Sequence, residues 1–447
     1  MSPPLIIKLF YGGAIMSFTV AEIHQNLFSI ISSLLDRRDE FLKNPSSDFT
    51  RKKKISFEQT ILFPMIAGAD NVASELLNMF GEEDLPLPSA MIQRRNQIKK
   101  EAFQELFSLF TQSIPKDKNF HGYQLVACDG TRLNLPYNPT DFDTLVDNVK
   151  GRKSFNQIHL NALYDIMNDI FLDIEIQGMK GMNERDAFCK FLDKCSLSEQ
   201  KRIFIADRGY ATFNIFAHAI NNNQLFLIRI KENDALALCC KDKHVVEDCL
   251  FDGNFTINIG RIRHGKNCKY ENYHLIRKEY RYDFIEYGED KVDLLRLRVL
   301  KFPLSSGVSE YIVTNLPRDV FSLDTIKELY NLRWGEETAF RYLKYAGNMV
   351  HIHSLKSDFL IQEIYGKLTL YNFSSCIANS ITKRESASNT YTYNFNHSQI
   401  QKFVRLYIIG VVKDLEKLIN RFLVPVRPGR KFKRIIRRQS AVPLSYR

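Results

Sequence analysis

Two short apolar segments, each ending in an aspartate, constrain the fold of this chain more than any other feature. Residues 124–129 read Gln-Leu-Val-Ala-Cys-Asp and residues 202–207 read Arg-Ile-Phe-Ile-Ala-Asp, and a glycine follows each within two positions. Apolar runs of this length between turn residues are typical of buried strands. Because a sheet presents side chains at the carboxyl ends of its parallel strands, Asp129 and Asp207 are candidate site residues. Taken singly, each also fits a plainer role, since strand-end aspartates often only cap turns.

The surrounding sequence alternates between strand and helix patterns. Further strands are predicted at residues 159–165, 170–176, 224–230 and 311–314, and helices at residues 183–192, 211–221, 322–346 and 355–381. Met167-Asn168-Asp169 separates the first two of these strands and predicts a hairpin. Strands that alternate with helices in this order predict an α/β fold with a mixed sheet.

Residues 231–308 interrupt that alternation. Phe255–Ile259 and Leu295–Val299 alternate apolar and polar residues with period two, as half-exposed antiparallel strands do. The segment is also rich in tyrosine, arginine and lysine. We therefore predict a β-rich insertion here.

Before the first strand, apolar positions recur at spacings of three and four through residues 17–115, which predicts helices. Two basic clusters fall in this region, Arg51-Lys52-Lys53-Lys54 and Arg94-Arg95 with Lys99-Lys100. They favour a helical DNA-binding module. A helical scaffold with solvated basic side chains explains them equally well.

Most of the net charge lies at the end of the chain. The 447 residues carry a formal charge of +11, and residues 427–447 hold eight Lys and Arg with no Asp or Glu. This tail therefore supplies eight of the eleven net positive charges. Such a tail suits a polyanion, either nucleic acid or an anionic membrane surface, although a solubilising role gives the same composition.

Cysteine and hydropathy patterns exclude several other classes. The eight cysteines show neither a CxxC pair nor histidines at zinc-ligand spacing, which indicates reduced thiols in a cytosolic protein. A membrane span needs roughly 20 consecutive apolar residues, and no such run occurs. The start of the chain lacks the features of a signal peptide. Met16 opens a more ordinary start, so residues 1–16 are treated as an over-extended beginning.

The predicted helix at residues 322–346 groups polar residues on one face. At about 100° per residue, Tyr330, Arg333, Glu337 and Lys344 fall within a wedge roughly 60° wide. An apolar stripe adjoins the wedge and comprises Leu329, Leu332, Phe340 and Leu343. Glu336 falls inside that stripe, where a carboxylate is unexpected. A carboxylate beside Arg, Lys and Tyr suits metal binding next to phosphate binding, and an ordinary salt-bridged surface helix is the alternative.

Asp129, Asp207 and Glu337 together suggest a metal-dependent reaction. Carboxylates brought together from distant parts of a chain bind Mg²⁺, which prefers oxygen ligands and retains waters. Two such ions about 3.5 to 4 Å apart activate an attacking hydroxyl and stabilise the leaving oxygen in phosphoryl transfer. These residue types therefore point to chemistry on phosphodiesters.

The spacing Tyr330-x2-Arg333-x3-Glu337-x6-Lys344 resembles the Tyr-Arg-Glu-Lys signature of the IS-four family of insertion-sequence transposases, relatives of the Tn-five transposase. The flanking Arg333-Trp334-Gly335 and Phe340-x-x-Leu343-Lys344 are similar to that family, as are the later segments 362–366 and 370–373. Cys128-Asp129-Gly130-Thr131 resembles its first aspartate motif, and residues 206–210 resemble its second. The family also carries a β-strand insertion before its glutamate helix, where residues 231–308 lie.

The resemblance implies a DDE transposase with an RNase H-like mixed-sheet core. Asp129, Asp207 and Glu337 would be the catalytic residues and would bind two Mg²⁺ ions, for which Mn²⁺ would substitute. Tyr330, Arg333 and Lys344 would bind DNA at the terminal phosphates. The implied partners are the terminal inverted repeats and target DNA, both double-stranded, with two copies of the chain in the synaptic complex and no membrane. Relatives use a hairpin intermediate and flip a base onto an aromatic residue. The sequence does not assign that aromatic residue in this chain.

Combined with the strand and helix pattern, the resemblance predicts how the chain is divided. After the over-extended start at 1–16, the predicted parts are a helical N-terminal DNA-binding domain at 17–118, the first part of the RNase H-like core at 119–230, the β-rich insertion at 231–308, the second part of the core with the signature helix at 309–385, and a C-terminal region with the basic tail at 386–447.

Two other functions share these residues. One is an inactive or domesticated relative that binds DNA as a regulator, and the other is a Mg²⁺-dependent nuclease without strand transfer. The intact carboxylates and signature favour an active transposase that cleaves transposon ends and transfers strands.

Deletion of residues 427–447 tests the role of the basic tail. We expect lower affinity for DNA and a flatter dependence of binding on salt, because fewer counterions are released, while the chemistry is retained. Binding isotherms across a range of salt concentrations measure this slope. An unchanged slope would reduce the tail to a solubilising end.

Overall fold

The computed structural model describes residues 18–51, 53–147, 153–196, 200–240, 243–264, 269–304, 307–352, 354–383 and 391–426. The start at residues 1–16 and the basic tail at 427–447 lie outside the described residues.

Helices and strands alternate along the described chain. The helices are α1 (Val20–Asp36), α2 (Arg38–Phe41), α3 (Phe57–Ile66), α4 (Val72–Phe80), α5 (Pro88–Gln97), α6 (Glu101–Ser113), α7 (Glu184–Cys195), α8 (Phe213–Asn221), α9 (Glu232–Leu238), α10 (Lys243–Glu247), α11 (Leu323–Leu332), α12 (Trp334–Tyr345), α13 (Ser357–Ser380), α14 (His397–Ile408) and α15 (Leu415–Arg421). The strands are β1 (Gln124–Leu135), β2 (Leu145–Val146), β3 (Phe155–Asp165), β4 (Ile170–Gly178), β5 (Arg202–Ala206), β6 (Leu225–Ile230), β7 (Phe251–Gly260), β8 (Tyr273–Leu275), β9 (Val292–Pro303), β10 (Ser309–Thr314), β11 (Tyr393–Asn394) and β12 (Val424–Pro425). No helix within the described ranges is long and apolar enough to cross a membrane.

Ten of the described strands form one mixed sheet. Its order is β2-β3-β1-β5-β6-β10-β9-β7-β8, and β4 also pairs with β3. Strands β1, β5 and β6 run parallel to one another. The predicted hairpin is confirmed as the antiparallel pair β3 and β4. The chain therefore has the predicted α/β class with a large mixed sheet.

The predicted β-rich insertion forms β7, β8 and β9 together with the short helices α9 and α10. Strand β9 pairs with β10, so these strands extend the same sheet instead of building a separate one. The Arg261 guanidinium donates hydrogen bonds to the backbone carbonyls of Arg277, Tyr280, Tyr282 and Ile285. One half-buried arginine thus links several carbonyls of the loop that joins β8 to β9.

The single helix predicted over residues 322–346 is instead two helices that meet at Arg333. The Arg333 N–H donates to Tyr330 O at 3.2 Å, and the Glu336 N–H donates to Arg333 O at 3.1 Å. Hydrogen bonds to the third preceding residue tighten the turn relative to an α-helix. The prediction of one continuous helix is therefore wrong at this residue, while the apolar stripe is confirmed by burial of Leu329, Phe340 and Leu343.

Helices from the two ends of the chain share one apolar core. Leu27, Ile61 and Phe103 from the first helices pack in the same cluster as Phe373 of α13 and Val404 of α14. The long helix α13 crosses α3 closely at Gly366. A Cβ atom at Gly366 would lie 3.1 Å from the backbone of Pro64 and Met65, so a larger side chain there would push the two helices apart.

Arg95 ties α5 to α13 from within the core. Its guanidinium donates to Gln362 Oε1 at 3.1 Å, to Glu363 Oε1 at 3.2 Å and to Phe359 O at 3.2 Å. Arg94 is also buried and lies 4.2 Å from the centre of the Phe49 ring. Of the two predicted basic clusters, the second therefore contributes these two arginines to the protein interior and not to a solvent-exposed face.

Arg95→Met tests this buried ion pair. Removal of one partner leaves Glu363 buried without its cation, so we expect the free energy of unfolding to fall by about 3–5 kcal/mol. Urea denaturation measures the change. Arg37→Met is the matched control, because Arg37 pairs with glutamates in an exposed setting and should cost less than about 1 kcal/mol. Equal losses in the two variants would show that the Arg95 network contributes no special stability.

Candidate active site

Asp129 and Asp207 lie side by side at one edge of the parallel strands. In the pairing of β1 with β5, Cys128 stands opposite Ala206, so the residue after each is an aspartate. Neighbouring strands are about 4.8 Å apart, which makes these equivalent positions direct neighbours. Each carboxylate also accepts the next backbone N–H, at 2.8 Å for Asp129 and 2.7 Å for Asp207. Asp207 therefore caps the turn after β5, while Asp129 lies beside it within the longer strand β1.

The junction of α11 and α12 brings the signature residues to the same edge. The Arg333 side chain is 6% exposed, and its Nη2 donates to Glu337 Oε1 at 3.1 Å. Glu337 itself is 45% exposed on its side chain. Burial lowers the pKa of Arg333, but the nearby Tyr330, Asp207 and Glu337 outweigh this effect and raise it. Arg333 thus stays charged between the strand carboxylates and the helix carboxylate.

Tyr330 and Lys344 complete the predicted polar wedge. Tyr330 is buried, and its hydroxyl has no hydrogen-bond partner among the described residues. Burial, with a smaller contribution from Asp207, raises its pKa to about 12. Burial also lowers the pKa of Lys344, an effect that the charge of Asp129 opposes. All four signature side chains therefore interact electrostatically with one or both of the strand aspartates.

Asp129 is destabilised as a carboxylate. Burial raises its pKa to about 6, with further increases from Glu184 and Glu337. The Gly130 N–H and the Arg333 charge act in the opposite direction but do not cancel the effect of burial. The neighbouring Asp207 has an additional cation nearby, because Arg229 Nη1 lies 3.8 Å from Asp207 Oδ1 while its Nε pairs with Glu310.

His159 and Glu184 close the site on the side of β3. His159 is 2% exposed, and its Nε2 lies 3.1 Å from Glu184 Oε1 at the start of α7. This contact lowers the pKa of Glu184. A Cβ atom at position 130 would overlap His159 Nε2 and lie 3.2 Å from Asn161 Oδ1. Only glycine at position 130 leaves room for this histidine beside Asp129.

Sequence reasoning missed several residues of this site. Pairing within the sheet and packing of α7 bring four further residues close to the aspartates, namely His159, Glu184, Arg229 and Glu310. The one available signal was a charged or polar residue inside an otherwise apolar strand, as with Arg229 in Leu225–Ile230. Glu336 did give a signal, since it breaks the apolar stripe, and it is fully buried.

A family model described as a transposase DDE domain matches residues 120–373. The chain belongs to this transposase family. The match begins just before β1 and ends within α13, so it spans both strand aspartates and the Arg333–Glu337 pair.

Two similar proteins carry transposase names. The transposase for insertion sequence element IS1151 from Clostridium perfringens is 21% identical over 364 residues, which is 73% of this chain and 75% of that protein. A cryo-EM structure of a piggyBac transposase synaptic complex with hairpin DNA has a TM-score of 0.45 and 10% identity, and covers 91% of this chain and 82% of that one.

The donor atoms of this transposase suit a divalent cation. Asp129 and Asp207 offer adjacent hard oxygen ligands, and both carboxylate oxygens of buried Glu336 lack a hydrogen-bond partner within the described residues. In the described part of the chain, however, no three His, Cys, Asp or Glu side chains stand close enough to hold one ion. Asp129 and Asp207 are therefore two candidate oxygen donors side by side, without a third such side chain near enough in the described residues.

The pKa of Asp129 predicts a pH-dependent stability. The folded protein retains a proton on Asp129 up to about pH 6, whereas the unfolded chain releases it near pH 4, so stability decreases as pH rises through this window. Asp129→Asn should therefore exceed the wild type in unfolding free energy by about 1–3 kcal/mol at pH 8 in chelator, and match it below pH 4. Urea denaturation at several pH values measures this difference.

Asp319→Asn, a change in an exposed carboxylate, is the control and should leave the pH profile unchanged. A constant difference between Asp129→Asn and the wild type from pH 4 to 8 would contradict the assignment.

Proposed function

We propose that this transposase cleaves DNA at the ends of its mobile element and joins the freed 3′-hydroxyl to target DNA, with Asp129, Asp207 and Glu337 as its catalytic carboxylates. The observation that carries the proposal is the in-register pairing of β1 and β5, which sets two aspartates side by side beneath the Arg333–Glu337 pair. A helix-borne glutamate next to two aspartates on neighbouring strands suits phosphodiester chemistry.

The finer classification rests on topology and spacing. The strand order β4-β3-β1-β5-β6, with an antiparallel hairpin beside three parallel strands, supports an RNase H-like core. The Tyr330, Arg333, Glu337 and Lys344 spacing supports membership of the IS-four family. By the same resemblance, two copies of the chain would hold two element ends.

The proposed reaction consists of two phosphoryl transfers. In the first, water attacks a phosphodiester at the element end, a new P–O bond forms, and the bond to the 3′ oxygen breaks to leave a 3′-hydroxyl. In the second, this hydroxyl attacks a target phosphodiester and displaces a 3′ oxygen of the target. Mg²⁺, or Mn²⁺ in its place, would be held by Asp129, Asp207 and Glu337 and would supply Lewis acidity to the phosphoryl oxygens.

The basic residues of the site would bind the terminal phosphates. Arg333 offers a planar fork of donors, and Lys344 a compact charge close to Asp129. A phosphate that binds Arg333 would compete with Glu337 for its Nη2 donor. Release of Glu337 from this pair would let its carboxylate approach Asp129 and Asp207, which supplies the missing third ligand only when DNA is present.

An end-processing assay tests this function. The full-length transposase is incubated with DNA that carries its own element's terminal repeats, a plasmid target and Mg²⁺, and cleavage and integration products are quantified. Asp207→Ala and Glu337→Gln should lower both products by at least about 100-fold while end binding is retained. Arg333→Ala should weaken end binding about 10- to 100-fold, the loss expected for a hydrogen bond to a charged group. Asp319→Ala, on the exposed surface, is the control.

The products separate the alternatives. Integration that requires Asp207 supports a transposase, and cleavage without integration supports a nuclease. Specific binding without cleavage supports a DNA-binding regulator. Full activity of Glu337→Gln would remove Glu337 from the catalytic set.

A further inference from the structure

Glu336 has no role in the chemistry described above, yet it occupies the inner face of α12 toward β1. The side chain is fully buried, and neither carboxylate oxygen has a hydrogen-bond partner among the described residues. Burial of a carboxylate without a hydrogen-bond partner is strongly unfavourable. The buried residues of the apolar stripe are Leu329 on α11 and Phe340 and Leu343 on α12, all aliphatic or aromatic, so packing alone does not require a glutamate here.

The surroundings of Glu336 belong to the active site. Burial raises the pKa of the Glu336 carboxyl group most. Among nearby charges Asp129 has the largest effect and also raises this pKa, Arg333 lowers it, and Glu337 raises it. Cys128 precedes Asp129 in β1. Apart from burial, the charge of Glu336 contributes most to the raised pKa of the Cys128 thiol. Glu336 and Asp129 therefore face each other across the contact between α12 and β1.

We propose that Glu336 is a fourth carboxylate of the active site and binds a divalent cation together with Asp129. This inference rests on the proposed function, because it assumes that the strand aspartates take up such a cation. Mg²⁺ and Mn²⁺ accept one or two protein carboxylates and complete their shells with water and substrate phosphate. A cation between Glu336 and Asp129 would neutralise two facing buried carboxylates, of which Glu336 has no hydrogen-bond partner in the described part of the chain.

Glu337 and Glu336 then have separate tasks. Glu337 points outward and is held by Arg333, so its approach to the aspartates depends on DNA. Glu336 points inward and needs no such release. The transposase without DNA should therefore hold a first cation through Asp129 and Glu336, and Glu337 should matter little for that binding.

Mn²⁺ binding to the DNA-free, full-length transposase tests the proposal. Titration followed by Mn²⁺ EPR gives the dissociation constant, and the rise in melting temperature with Mn²⁺ gives an independent readout. Glu336→Gln should weaken Mn²⁺ binding at least about tenfold and reduce the Mn²⁺-dependent rise, whereas Glu337→Gln should change the dissociation constant less than about threefold. Glu75→Gln is the matched control, because Glu75 is a buried carboxylate that accepts backbone N–H groups far from the aspartates.

Glu336→Leu separates binding from folding, since it restores the apolar stripe and should fold while it loses the same Mn²⁺ affinity. Wild-type Mn²⁺ affinity in both Glu336 variants, with loss in Asp129→Asn, would overturn this inference and leave the proposed function intact. Wild-type affinity in Asp129→Asn as well would instead count against the cation site of the proposed function.

Discussion

The parallel pairing of β1 with β5 is the constraint on which the rest of the structure depends. It joins residues 124–128 to residues 202–206 in a fixed register, and the two aspartates follow at once. Strand β1 continues to Leu135 because antiparallel β3 supports it, whereas β5 ends at Ala206. At Asp129, β1 is thus paired with β3 on one side and has no paired residue of β5 on the other. The junction of α11 and α12 lies against that unpaired side.

The helix α13 fixes the helical layer to this sheet through polar contacts that are fully satisfied. The Asn372 side chain accepts the Phe171 N–H at 2.8 Å and donates to Phe171 O at 2.8 Å and to Thr111 Oγ1 at 2.9 Å. Strand β4, which carries Phe171, lies beyond β3, where backbone groups would otherwise be unpaired. Asn372 covers them and also reaches α6. The family-like segments after the signature therefore stabilise the fold. Asn372 joins α13 to β4, Glu363 pairs with Arg95, and Gly366 permits the close crossing with α3.

Sequence patterns predicted those parts of the fold that depend on local periodicity. The end of β5 before Asp207, the hairpin of β3 and β4, and the buried stripe of α11 and α12 follow from spacing and turn residues, whereas the predicted strand end at Asp129 is wrong because β1 continues to Leu135. Long-range packing decided the rest. Arg95 reads as a surface charge until Glu363, 268 residues away, is known to face it. The continuity of β9 with β10 cannot be read from a segment that looks like an independent insertion.

The candidate site was predictable to the same extent. Spacing grouped Tyr330, Arg333, Glu337 and Lys344 on one helical face, and the structure shows the Arg333–Glu337 pair within that group. It gave no warning of the break at Arg333, which arises from hydrogen bonds to the third preceding residue. His159 and Glu184 come from two further elements and meet at Gly130 only in three dimensions. Glu336 was visible as a misfit, but its meaning required knowledge of what it faces.

The charges of the site explain why a cation would bind there. Arg229 and Arg333 pair with Asp207, Glu310 and Glu337, and the charge of Arg333 only partly offsets the burial of Asp129 and Glu336. Burial and like charge therefore raise the pKa of both carboxyl groups. A divalent ion would add positive charge beside these two carboxylates. Burial and repulsion destabilise these carboxylates in the free protein. Cation binding would relieve that repulsion, so the free energy that destabilises the site without the ion would contribute to the affinity for the ion.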